Sequence, residues 1–365
     1  MRLGLSLIGP AVMGLYLSLP ATAAEFTFTK IADNSGPLQP FGSPSLNDQG
    51  VIVFSALLNK GGSGLFVGSG RSSGGSRTKT IVKSSGSAVP LSAPSISNQG
   101  IVAFGNDEAR GIFTHSGTKL TPIADSSGTL NTFPASTPAI NDQGIVAFRA
   151  ELDTGISGLF TGSSGAPITT IADNASSTFD SFGPPVINER GTVAFSAELR
   201  PQEEQNSVSG IFTSSNGAIK TIADSKGSFT SFSPPSLNDN DTIAFKAALD
   251  VGSSGIFTSH GTTHTTVVDS SGPFNRFDQP SINNEGKVAF LAFLDQGGYG
   301  IFIGPDPKTD KVIGVGDSLF GSTVADIALD TEGLNNSNQV AFYALLANGT
   351  YGIYRADPVS GPQPR

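Results

Sequence analysis

The apolar positions of the chain fall into short runs separated by Asn, Asp, Ser and Gly, and the runs repeat. The clearest copy, Pro138 to Ser176, suggests four strands: Thr137 to Asn141, Ile145 to Leu152, Gly158 to Thr161 and Ile168 to Ala172. Runs this short, bounded by turn residues, predict strands rather than helices. In the second strand Val146, Phe148, Ala150 and Leu152 share one face by the two-residue period, while Ala147 keeps the other face thin. The turn ahead of it, Asn141, Asp142, Gln143 and Gly144, carries residues that tolerate the positive φ of tight turns.

Seven copies are present, marked by the phenylalanine inside the second strand: Phe54, Phe104, Phe148, Phe195, Phe245, Phe290 and Phe342. Their spacing runs from 44 residues, Phe104 to Phe148, to 52 residues, Phe290 to Phe342. That period is too long for a leucine-rich or hexapeptide solenoid and fits propeller blades of four short strands. The third strand recurs as Gly, an aliphatic residue and an aromatic, from Gly64, Leu65 and Phe66 to Gly352, Ile353 and Tyr354. Three residues before the repeat Asn stands a proline: Pro44, Pro94, Pro138, Pro185, Pro235 and Pro280, replaced by Glu332 in the last copy. Proline cannot donate to a ladder, so it belongs on an edge strand, here the inner strand facing a central channel.

The phase of the copies adds a topological argument. The last copy ends after its third strand, and the missing fourth is matched at the other end, where Phe28 to Asp33 resembles Lys220 to Asp224. The predicted fold is therefore all-β: a closed seven-bladed β-propeller of four-stranded blades, with the N-terminal strand completing the last blade.

Composition agrees with this fold. Among 365 residues there are 45 Gly, 23 Pro and 25 Phe, with 37% hydrophobic residues, too apolar for a disordered chain. A length near 340 after processing is large for one core, but repeats pack only on their neighbours. Residues 1–24 read as a secretory signal: Arg2, an apolar run from Leu3 to Leu19, and cleavage near Ala23 or Ala24. Residues 25–356 would form the propeller and 357–365 a short polar tail. The expected product is secreted or periplasmic, monomeric, without a membrane span after cleavage. With no Cys, packing alone must hold it. The formal charge of −9, or −10 without Arg2, argues against nucleic acid and anionic membranes as partners.

Asn141 to Phe148 and Asn188 to Phe195 give the chain a resemblance to secreted tandem-repeat proteins named for an NxxGxxAF motif, whose members vary in their anchor. The resemblance covers about residues 26 to 355, with departures at Ser97 for the Asn, Asp241 and Asn338 for the Gly, and Val53 for the Ala. More distantly the repeat is similar to TolB-like propeller blades. The resemblance implies a propeller and supplies no catalytic residues.

Candidate chemistry is sparse. If strands run from inner to outer rim, loops after second and fourth strands share one acidic face: Asp153, Asp250 and Asp295 after second strands, and Asp33, Asp125, Asp173, Asp224 and Asp269 after fourth strands. The second group reads as turn caps, since Asp opens and Gly closes Asp125 to Gly128 and Asp269 to Gly272. Calcium is the alternative ligand, though no DxDxDG loop is present. The longest loop after a second strand, Arg200 to Ser209, carries Glu203 and Glu204, a solvated pair whose loop is the best single place for specificity. Phe41, Phe182, Phe232 and Phe277 suggest plugs between one blade's last strand and the next blade's first, or an aromatic ring for a ligand. His260 and His264 have a weak zinc-like spacing without further ligands. The expected function is a non-catalytic scaffold for an extracellular or envelope protein or glycan, with no cofactor. The alternative is a propeller hydrolase or lyase acting on an envelope polysaccharide.

Overall fold

The computed structural model describes residues 25–70, 78–84, 91–106, 110–134, 137–176, 178–201 and 207–359. The expected signal segment, Glu203 and Glu204, and residues 360–365 lie outside them. Every regular element among the described residues is a β-strand, and the strands form seven antiparallel sheets, the four-stranded blades of a seven-bladed β-propeller.

Blade 4 shows how one repeat becomes one blade. Val193–Leu199 pairs outward with Val208–Ser215, which pairs with Ala218–Asp224. On its inner side it meets two short pieces, Phe179–Phe182 and Val186–Ile187, rather than one strand. Pro184 and Pro185 fall between them, and neither can donate to the ladder. The piece before the prolines carries the phenylalanine series. Phe41, Phe182, Phe232 and Phe277 pack into clusters with the preceding blade's last strand, Phe182 with Ala172, Phe232 with Ala223 and Phe277 with Val268. They pair with Ala56, Ala197, Ala247 and Ala292 on the second strand of their own blades.

The seven marker phenylalanines are at most 1% exposed. Each stacks on the aromatic of its blade's third strand, with centroids 5.8 Å apart for Phe195 and Phe212 and 5.9 Å for Phe342 and Tyr354. The glycine two residues before that aromatic leaves room for it. A Cβ on Gly158 would lie 2.9 Å from the Ala172 carbonyl and 3.0 Å from the Phe160 ring. Among the described residues apolar side chains gather in seven clusters, each shared by two neighbouring blades, with the Phe face of one against the thin Ala face of the other. Ala147, Leu159 and Ala172 of blade 3, for example, meet Phe179, Phe195 and Phe212 of blade 4. Small opposite large lets twisted sheets interdigitate at interior density.

Phe26–Asp33 pairs antiparallel with Tyr351–Pro358, so the first strand of the chain lies in the same blade as the last. Asp357 and Pro358, expected in the polar tail, pair with Thr27 and Phe26. Ile31, Ala341 and Ile353 of this seventh blade cluster with Phe54 and Phe66 of blade 1.

Candidate functional site

The inner pieces of the blades surround an axial channel with two cavities, about 160 Å³ at the mouth and about 30 Å³ beyond it. The mouth is made by the repeat Asn and the residue after it. Asn188 accepts from the N–H groups of Arg190 (3.1 Å) and Thr192 (2.9 Å), capping its own turn, and its amide donates to the Asn238 carbonyl in the next blade (3.0 Å). Asn47, Asn141, Asn238, Asn283 and Asn335 donate to the next blade in the same way, the last to the Asn47 carbonyl at 2.9 Å. Ser97 keeps the cap, accepting from Gln99 and Ile101, but has no amide to offer. Where the fourth turn residue departs from Gly, the left-handed backbone persists: φ is 75° at Gly144, 59° at Asp241 and 58° at Asn338. Asp and Asn are the side chains that tolerate it best.

The next residue builds a second circuit, Asp48, Asn98, Asp142, Glu189, Asp239, Asn284 and Asn336. The N–H of each donates to the side-chain oxygen of the one in the following blade, from Asp48 to Asn98 at 2.8 Å round to Asn336 to Asp48 at 2.9 Å. Four of the seven are carboxylates crowded at one mouth. Burial pushes the Glu189 carboxyl up; the Asp142 N–H opposes this, and the nearby Asp142, Asp239 and Asp48 add to it.

Below the mouth, in the throat, the small residues that follow the prolines take over. The hydroxyls of Ser45, Ser95, Ser236 and Ser281 accept from the next blade's Ile96, Ile140, Ile282 and Leu334 N–H groups at 3.0 to 3.3 Å. Here stands Glu332, in the place of the prolines. Its Oε2 accepts from Ser45 Oγ at 2.5 Å and its Oε1 from Ser95 Oγ at 2.9 Å, so it reaches across the channel from blade 7 to blades 1 and 2. Glu332 is half-buried and lines both cavities. Burial pushes the carboxyl up to about 7; the two serines oppose this and Asp330 adds to it.

The acids expected on the loop face are dispersed. Asp153, Asp250 and Asp295 are exposed, one each on blades 3, 5 and 6. Asp33, Asp125, Asp173, Asp224 and Asp269 each accept from the N–H two residues on. Bonds from Ser127 and Ser271 hold Asp125 and Asp269 below the usual carboxylate range. His264 meets the Phe229 ring edge-on at 5.5 Å. Among the described residues no three His, Cys, Asp or Glu side chains are grouped to hold a metal ion. Sequence reasoning noticed Glu332 only as a missing proline, and took the residue after the repeat Asn for part of a turn. Its signal was that all seven copies carry a carboxylate or an amide there.

Fold and channel together define a β-propeller of seven repeated blades. Within that class the chain belongs to a family of unknown function (DUF7453), matched over residues 30–365. No curated protein matches the sequence. Among solved structures it is similar to an oligogalacturonate lyase in complex with manganese, at 11% identity and TM-score 0.60, over 93% of this chain and 99% of that one. An oligogalacturonate lyase from Vibrio parahaemolyticus gives 12% identity and TM-score 0.56, over 92% and 98%. The β-propeller domain of the trilobed protease from Pyrococcus furiosus gives 11% and 0.57, over 87% and 92%. At these identities the likeness concerns the fold.

Proposed function

We propose that this protein is a non-catalytic scaffold, a secreted or periplasmic monomer of the NxxGxxAF repeat type that presents its loops to an extracellular or envelope protein or glycan. The observation that carries this reading is how the channel mouth uses its polar groups. An enzyme on this fold needs distinct residues from several blades converging on a substrate. Here the converging oxygens are engaged by backbone N–H groups of neighbouring blades, at equivalent positions all the way round. Such a mouth stiffens the propeller and leaves recognition to the loops, with Asp153, Asp250, Asp295 and the Arg200 to Ser209 loop as the surface offered.

A closed ring belongs to the same proposal. It is supported by the pairing of Phe26–Asp33 with Tyr351–Pro358 and by the bond from Asn335 to Asn47.

The test is a thermal-shift screen of the purified protein against divalent ions, oligosaccharides and envelope extracts, since a ligand of the folded state raises the midpoint by linkage. A shift with extract or glycan and no turnover is the expected result. Turnover of a polysaccharide would replace the scaffold with the hydrolase or lyase alternative.

A further inference from the structure

We propose that Glu332 is a proton-dependent clasp, which reaches from the seventh blade across the channel to the first two and stabilises that junction more when its carboxyl is neutral than when it ionises. The geometry carries this independently of what the surface binds. Glu332 stands where six other blades have a proline, and it lines the inner cavity together with Asp330 of its own segment. It meets two serines that are themselves at most 3% exposed and already accept the N–H groups of Ile96 and Ile140. Each serine can therefore turn its hydroxyl proton toward Glu332. The main chain is tied at the same place: Leu46 N–H donates to the Glu332 carbonyl at 3.1 Å, and Ser236 Oγ to the Thr331 carbonyl at 3.1 Å.

The charged surroundings decide which protonation state is comfortable. Among the described residues no lysine or arginine lines either cavity. The ionisable groups that face the channel with Glu332 are Asp330 on its own segment and Asp48, Asp142, Glu189 and Asp239 at the mouth, all acids. A negative charge at Glu332 would have two hydroxyls for company and no counter-ion, so ionisation favours any movement that admits water.

The folded-state carboxyl lies above its ordinary value of 4.5, at about 7. The contribution is then fully present below the unfolded value and is lost as pH rises through the folded one. Thermal unfolding of the wild-type protein and of Glu332→Gln, compared between about pH 5 and about pH 9, reads this directly. Gln has the same shape and cannot ionise. The wild-type midpoint should fall relative to the variant as pH rises, by at least about 2 °C, and the gap should close at the acidic end. Identical pH profiles for the two proteins would overturn the clasp. If Glu332→Gln does not fold, a carbon-13 titration of the Glu332 carboxyl in the wild-type protein decides. A midpoint near neutrality supports the proposal, and one in the ordinary glutamate range refutes it.

Discussion

The mouth and the throat of the channel lie only three residues apart on the same inner pieces, yet they are built by opposite rules. At the mouth all seven blades contribute the same bond, an N–H to the next blade's side-chain oxygen, and the residue supplying that oxygen is free to be Asp, Asn or Glu. In the throat no such rule holds. Ser45, Ser95, Ala139, Val186, Ser236, Ser281 and Gly333 follow one another, and Glu332 stands where the other six blades carry proline. The difference teaches where single residues matter. A repeated bond spreads its contribution over the seven blades, as expected when each unit contacts only its neighbours, whereas an unrepeated one has no substitute.

The largest effect should come from outside both systems, at the outer edge of the seventh blade. Deleting Glu25 to Gly36 removes the strand paired with Tyr351–Pro358 and takes Ile31, 1% exposed, out of the cluster joining blades 7 and 1. Losing the Ile31 side chain alone is worth about 2 to 5 kcal/mol, so the thermal midpoint should fall steeply. An unchanged midpoint would mean that the mouth circuit holds the blades without that strand.

Asn188→Ala tests the mouth in isolation. Asn188 is 3% exposed, caps its own turn and donates to blade 5, both to the Asn238 carbonyl and to Asp241 Oδ1 at 2.8 Å. Its loss should leave buried N–H groups unpaired and cost about 1 to 3 kcal/mol in denaturant unfolding. The converse is Ser97→Asn. Blade 2 alone lacks the amide bond to its neighbour, and restoring an amide within reach of the Asn141 carbonyl should stabilise the protein by about 1 kcal/mol. If Asn188→Ala costs nothing, or Ser97→Asn destabilises, the mouth is not the additive circuit described above.

The sequence made the blades legible because whatever recurs every 44 to 52 residues must occupy the same place in every unit. The second and third strands, their recurrent aromatics and the thin alanine face all followed from that period. What a period cannot give is contact between units. Asn188 and Asn238 are 50 residues apart, and nothing local in either turn says that one donates to the other. Glu332 is harder still, for its partners lie 287 and 237 residues away and no other copy repeats them. The inner piece before the prolines was missed for another reason. Phe179 to Phe182 is too short and too near a Pro pair to be told from a connecting loop by pattern alone.

The smallest effect is expected farthest from the channel, and it runs in the opposite direction with pH. Asp125 lies on the loop face and accepts from the Ser127 N–H at 2.9 Å and from its hydroxyl at 2.5 Å. Those bonds lower its carboxyl below the ordinary 3.8, so whatever it contributes is present above that value and lost as pH falls through the lower folded one. Glu332 behaves in reverse, losing its contribution as pH rises. Because the Asp125 turn is solvated and one of several dispersed caps, Asp125→Ala should cost only about 0.5 kcal/mol near neutral pH. A thermal melt with and without calcium sharpens the point. A cap leaves the wild type and variant responding alike, whereas a calcium-dependent rise in the wild type that Asp125→Ala abolishes would turn this turn from scaffold into ligand site.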